Sequence, residues 1–394
     1  MKLTYLKNVM HFIEKVRNLV YNMIKRIYYG IGEIIISNKQ RYARRKQWLL
    51  NRNKKALKAR SKSKKFRKDK LSRIDNNRYE YHKRLTYDKK NNRCVFRAPL
   101  RFGFTINPEE TNSFFSDLLK FIVDWRNHGK KIHIDISKIS ELTIDALMYL
   151  LAIINNLNSN IKYKYRFSGN VPENDDVRMV FENSGFYDYV YFPGKKNTKR
   201  NSDSVRIVSG KVCENTTAKH IADFLIEKAC INMNQARFIY VMMIELMSNT
   251  FKHAYNTQKN STILPRWYCN ANYDSNDTIC FTFMDTGEGI PSTVRKNFTE
   301  RIDILKFKTE DKYVVSALNG DFRTSTKQFN RGKGLPKIRE ICSKGIIQNL
   351  KIFTNKAAVL VNKDDIESYV VKTPLQGTLY YWEVSISKLK GEVQ

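Results

Sequence analysis

Negative charge is what this chain of 394 residues has least of: 38 Asp and Glu face 71 Lys and Arg, a net charge of +33. The shortage is concentrated at the front. Residues 1–100 hold 30 basic and 6 acidic side chains, whereas residues 101–394 hold 41 and 32. That asymmetry reads as a basic module joined to a more ordinary globular body, with a polyanion as partner. Paired cysteines are also missing. Cys94, Cys213, Cys230, Cys269, Cys280 and Cys342 show no CxxC spacing and no neighbouring histidine at ligand distance, which speaks against a zinc site. No apolar leader with a cleavage site opens the sequence, so the expectation is a reduced, cytoplasmic protein rather than a secreted disulfide framework. Long uncharged runs are absent too. Met1 to Ser37 is apolar and aromatic but broken by Lys7, Glu14, Lys15, Arg17, Lys25, Arg26 and Glu33, short of the roughly 20 residues a spanning helix needs. Interleaved apolar and basic residues leave attachment to an anionic membrane surface as a lesser alternative.

What is present suffices for a core. Hydrophobic residues make up 42% and aromatics 12%, which excludes global disorder, and the length suits two or three domains. Residues 1–98 read as a basic, largely helical arm. Its densest part, residues 41–70, includes the run RRKQWLLNRNKKALKARSKSKKFRKDK from Arg44 to Lys70. Phosphate contacts by such a run need no base readout, and Trp48, Phe66, Tyr79 and Tyr81 add stacking surfaces, so nucleic acid is the expected partner. A solvated charge run without a partner is the plainer alternative.

Residues 99–200 alternate strand and helix signals. Leu100 to Ile106 reads as a strand and Glu109 to Asn127 as an amphipathic helix entered through Asn107 and Pro108. Lys131 to Ser137 and Lys162 to Ser168 read as strands around a helix from Glu141 to Leu157. The order predicts an α/β domain with a mainly parallel sheet. The stretch KKIHIDISKISELTIDALMYLL, with GNVPENDDVRMVFENSGFYDYV after it, resembles the STAS fold of anti-sigma-factor antagonists. Aligning Asp135 with the strand-end Asp of that family puts Ile144 and Asp145 where its phosphorylated hydroxyl belongs. The resemblance therefore implies a sensing or protein-docking platform rather than a phospho-switch.

Residues 201–394 carry the chemistry. The helix ARFIYVMMIELMSNTFKHAY, Ala236 to Tyr255, is apolar nearly all round at its start, yet Glu245, Asn249 and His253 fall on one stripe a turn apart. Burying an acid and an amide costs several kcal/mol, on the order of 2–7 per unpaired polar group, unless something binds them. A strand, Thr278 to Asp285, then runs into DTGEGIP, and NRGKGL places Gly332 and Gly334 before another helix. Glycines at a helix start let backbone N–H groups approach phosphate oxygens.

In that order these segments resemble the GHKL superfamily of ATP-binding domains, over residues 218–385. ELMSNTFKHA is similar to its N-box, DTGEGIP to its first glycine box, NRGKGL to its second, and QGT at Gln376 to Thr378 to its terminal glycine and threonine. The resemblance implies a Bergerat-type α/β sandwich, a mixed sheet under helices, binding ATP with Mg²⁺. It further implies that Asn249 coordinates the metal, Asp285 accepts from the adenine amino group, and Gly287 and Gly289 admit adenine and sugar. Lys252 or His253 would meet phosphate; Arg331, Gly332, Lys333 and Gly334 would close over the β- and γ-phosphates; the segment from Arg301 to Gln328, rich in Lys, Thr and Ser, would be the flap; Thr378 would support the adenine. Glu245, four residues before Asn249, is in the family a general base, for water in the ATPases or for a serine in the anti-sigma kinases. The six histidines, none in an HExxxTP context, disfavour autophosphorylation on histidine. Few residues follow Thr378, so no transducer domain is expected there. The expectation is a regulatory Mg-ATP-binding protein that hydrolyses slowly, with a serine/threonine protein kinase as the alternative.

Overall fold

A computed structural model describes residues 10–11, 13–26, 47, 85–124, 129–159, 166–191, 202–254, 263, 266–274, 277–297, 309–322 and 334–391. The chain divides into two units, Met1–Tyr81 and His82–Gln394. In the first, residues 13–26 are helical, and Ile13, Leu19, Val20 and Met23 stand exposed on that helix. Apart from Gln47, the basic run at 41–70 lies outside the described residues. No helix among the described residues is long and apolar enough to cross a membrane.

The second unit is α/β and holds two principal sheets. It opens with a hairpin of β1 (Leu85–Asp88) and β2 (Arg93–Arg97), followed by the short β3 (Arg101–Phe102). Helix α1 (Pro108–Val123) begins at Asn107, with Pro108 in its first turn, where a missing N–H costs nothing, and Glu109 and Glu110 at the positive end of its dipole. Then come β4 (Lys131–Asp135), β5 (Glu141–Leu142), α2 (Ile144–Ser159) and β6 (Arg166–Gly169). Helix α3 (Asp175–Asn183) is capped by Asn174, whose side chain accepts from the Val177 N–H at 3.1 Å. The first sheet, ordered β1-β2-β4-β6, is mixed: antiparallel in the hairpin and parallel across β2, β4 and β6.

The strand expected over Leu100 to Ile106 shrinks to two residues. Beyond Phe102 the backbone turns away, and the N–H groups of Phe104 and Thr105 donate to the Asp145 carboxylate at 3.0 and 3.1 Å instead of to a ladder. Burial holds that carboxylate above its ordinary pKa, against these donors and the Thr143 and Thr105 hydroxyls. The position aligned with a phospho-acceptor is thus a structural clasp.

The remaining elements are β7 (Ser204–Gly210), α4 (Asn215–Ala229), α5 (Met233–Ala254), β8 (Trp267–Asp274), β9 (Thr278–Asp285), α6 (Ile290–Asn297), α7 (Glu310–Asn319), α8 (Gly334–Ser343), β10 (Ile347–Val361), β11 (Ile366–Ser385) and α9 (Ile386–Gly391). Their sheet runs β10-β11-β9-β8-β7, and each of its pairings is antiparallel. Part of the stretch read as a flap is therefore helix α7. Its Tyr313, Val314, Ala317 and Leu318 are buried, a spacing that fixes one apolar face against the protein.

Strand alternation gives this sheet two apolar faces. On the front, Trp267, Phe281 and Trp382 meet Leu225, Met242, Leu246 and Ile338 of the helices, with Phe281 stacked on Trp382 at 5.4 Å. On the back, Tyr268, Met284, Phe353, Leu375 and Leu379 belong to one core with Phe104, Phe115, Tyr149 and Leu150. Phe115 lies edge-on to Tyr149 at 4.8 Å, and Phe104 reaches Phe353 at 6.5 Å. The Tyr149 hydroxyl donates to the Gln376 carbonyl at 3.2 Å, and Glu109 accepts from the Lys372 N–H at 3.2 Å. Each fully buried aromatic here contributes about 1.5–3 kcal/mol.

Candidate functional site

Helix α5 is buried on most sides by Met242, Met243, Leu246, Met247 and Thr250, while Val241, Ile244, Glu245, Ser248 and Asn249 stay partly exposed along one stripe. The first residue of α8 abuts that stripe. A Cβ built at Gly334 would lie 2.9 Å from Asn249 Nδ2, 3.0 Å from Glu245 Oε2 and 3.2 Å from Asn249 Oδ1. Only glycine leaves the acid and the amide in place there. The N-terminal N–H groups and dipole of α8 thus open beside a carboxylate and a carboxamide; the helix end favours an anion, and the carboxylate favours a cation beside it. The backbone of Lys252 and His253 continues α5, while their side chains, and all of Arg331, Gly332 and Lys333, lie outside the described residues.

A second cluster gathers where β9 ends. Asp285 Oδ1 accepts from the Gly287 N–H at 2.8 Å, and Thr378 donates to the same carboxylate. Burial outweighs these bonds and pushes the carboxyl up to about 6. Asp285 pairs in register with Trp267 on one side and Thr378 on the other. Gly377 has φ +101, and a Cβ there would fall 2.0 Å from the Asp285 carbonyl oxygen, so this tight crossing of β11 over β9 needs glycine.

Two residues of β10 hold the cluster together, and nothing in their sequence context singles them out. The Thr354 hydroxyl donates to the Gly377 carbonyl at 2.9 Å, accepts from the Ile290 N–H at 3.0 Å and lies 3.2 Å from the Thr378 hydroxyl. Asn355 donates to the Glu288 carbonyl at 3.1 Å and accepts from Ser292 at 3.3 Å. The close fit at Gly289, φ +85, explains its glycine: a Cβ would sit 2.3 Å from Asn355 Oδ1. Thr354 and Asn355 read as ordinary strand residues because their role arises only once β10 lies beside the turn after β9.

No family model matches the chain, and no curated protein matches it. Among solved structures, the chain is similar to the histidine kinase domain of the Erythrobacter litoralis EL346 blue-light activated histidine kinase. It is 11% identical, with a TM-score of 0.22, over 45% of this chain and 63% of that one. This chain therefore spans just under two thirds of that domain's length.

The geometry alone limits the chemistry. Among the described residues no three His, Cys, Asp or Glu side chains gather as a metal-ligand set. The side-chain oxygens that meet at Gly334, from Glu245 and Asn249, are the ones that could face a cation there, with an anionic ligand and water completing its shell.

Proposed function

We infer that residues 201–394 form a Mg-ATP-binding domain of the GHKL type. The observation that carries this reading is the approach of Gly334 to both Glu245 and Asn249. It brings the second glycine box, 85 residues along the chain, onto the one polar stripe of a buried helix. The two residue clusters divide the work. Asp285, with Thr378 behind it, presents an acceptor for an exocyclic amino group, and Gly287 and Gly289 leave the turn bare. Asn249 offers its Oδ1 to the cation, and the N-terminus of α8 receives phosphate oxygens. Mg²⁺, when bound, neutralises phosphate charge and polarises the terminal phosphoryl group. Glu245 is the remaining acid within reach of the same cradle. It takes the proton from an attacking hydroxyl, which in the absence of a protein acceptor belongs to water, so the reaction is slow ATP hydrolysis.

The test is ATP titration with and without Mg²⁺, followed by phosphate release from γ-labelled ATP. Binding that depends on Mg²⁺, with free phosphate as product, is the expected result; label on a partner protein would make the domain a kinase, and absence of ATP binding would end the reading. Glu245→Gln should retain ATP binding and lose turnover by roughly 100-fold or more. Asn249→Ala should weaken Mg-ATP binding itself. The regulatory part of the proposal rests on the packed back of the sheet, which connects β9 and β11 to α1 and α2. The basic run at 41–70 is proposed to hold nucleic acid, on its charge, and its affinity should fall as salt rises.

A further inference from the structure

The helix of residues 13–26 is exposed at every position. Its surface is nonetheless divided. At about 100° per residue, Ile13, Val16, Leu19, Val20, Met23 and Ile24 fall on one side, with Tyr21 at its edge. Glu14, Lys15, Asn18, Asn22, Lys25 and Arg26 gather opposite, within roughly a third of the circumference. The apolar side chains are bare: Leu19 is 61% exposed, Met23 59% and Ile24 59%. A contiguous patch of this kind marks a contact surface. So does the length of the helix, because so short a helix gains little from its own hydrogen bonds in water and is held by whatever its apolar face packs against.

Charge names the occupant. The polar side carries Lys15, Lys25 and Arg26 against Glu14, and residues 1–100 as a whole hold 30 basic and 6 acidic side chains. A surface of anionic lipid complements both. Arg17 sharpens the choice, since it falls inside the apolar side, next to Ile24 on the wheel. Between two packed helices its guanidinium would have to shed its water. At a bilayer its stem lies along the acyl chains while the guanidinium reaches the headgroup phosphates. The apolar side also covers about half of the circumference, broader than the narrow seam through which paired helices meet. No helix among the described residues is long and apolar enough to cross a membrane, so this one would lie in the plane of the surface.

We propose that residues 13–26 dock the protein on an anionic membrane surface, with Ile13, Val16, Leu19, Val20 and Met23 sunk among the upper acyl chains and Lys15, Lys25 and Arg26 held at the headgroups. The docking rests on this helix alone and is independent of the nucleotide site.

The full chain, stripped of nucleic acid and without nucleotide, is sedimented in about 0.15 M salt with vesicles of phosphatidylcholine and phosphatidylserine, and with vesicles of phosphatidylcholine alone. Partition onto the anionic vesicles only is expected, weakened at least about tenfold in Leu19→Gln/Met23→Gln. That variant keeps the net charge, so it separates insertion of the helix from adsorption of the basic run at 41–70. Both positions are exposed, so its thermal melt should match that of the parent. Orientation is read with lipids brominated on the acyl chain: the emission added by Leu19→Trp should be quenched, and that added by Asn22→Trp should not. Absence of sedimentation with the anionic vesicles, equal partition of the parent and the double variant, or equal quenching at the two positions would each overturn the proposal. So would a dimer that the double variant dissociates in the absence of any vesicle partition, which would assign the apolar face to a second copy of the chain.

Discussion

Gly334 and Asp285 each make a sharp prediction about a single atom or proton. Gly334→Ala forces a methyl group to within about 3 Å of both Glu245 and Asn249. Since those atoms are side-chain ends at a partly exposed stripe, the fold should survive while Mg-ATP affinity drops. A thermal melt near that of the parent, beside a weakened ATP titration, is the expected pair of results. For Asp285, the folded carboxyl titrates near 6 and an unfolded one near its ordinary 3.8. Between those values the folded state binds the extra proton, so this group's contribution to stability is complete below the unfolded pKa and is lost as pH rises through about 6. In the proposed role of Asp285 the ionised carboxylate is the better acceptor for the adenine amino group, so ATP affinity should rise over the same interval. Asp285→Asn should flatten both trends, measured by melts and ATP titrations across pH 4–7. The reach of sequence reasoning is visible in these residues. Glu245 and Asn249 were legible because one helical turn separates them and their apolar surroundings make them conspicuous. Asp285 and Gly334 were legible as the edges of glycine-bearing segments. Thr354 and Asn355 were not, because a Thr–Asn pair in a strand becomes a clamp only through a neighbour more than sixty residues away.

The hairpin of β10 and β11, with helices α6, α7 and α8 beside it, determines how firmly the glycine segments are held. Glu310, in the first turn of α7, ties two of these elements: it pairs with Arg295 of α6 at 3.1 Å and accepts from the Lys356 N–H of β10 at 2.8 Å. Leu318 anchors the helix from below at 1% exposure. Leu318→Ala should therefore lower the unfolding free energy by about 2–5 kcal/mol in a denaturant titration. It should also weaken ATP binding, since α7 packs beside α8. The element-level reading of the sequence erred here in an instructive way. Lys, Thr and Ser around Arg301 to Gln328 suggested an irregular flap, yet the segment EDKYVVSALN carries its apolar residues at helical spacing and folds accordingly. In the opposite direction, the strand signal at Leu100 to Ile106 was strong locally and lost to the Asp145 carboxylate, a competing acceptor that no local pattern announces.

At the scale of the molecule, residues 82–394 should behave as one cooperative body. The aromatic residues of α1 and α2 share a core with the back of the five-stranded sheet, so the whole segment is expected to melt in a single transition. A fragment of residues 201–394 would instead expose Tyr268, Met284, Phe353, Leu375 and Leu379 to water and should aggregate on size-exclusion chromatography. Two α/β regions were evident from the alternation of strands and helices. Their shared core was not, because Tyr268 alternates with Asn270 and Asn272 along β8, and such a face reads as half-solvated until its partner layer is known.

The common filling between the layers also limits how a bound nucleotide can be felt elsewhere. Swinging one layer away from the other would bare Phe104, Phe115, Tyr149 and Phe353 at once, a large penalty for a hinge. Movement at Asp285 or Thr378 must travel instead as small sliding of packed side chains across α1 and α2, a shear rather than a swing.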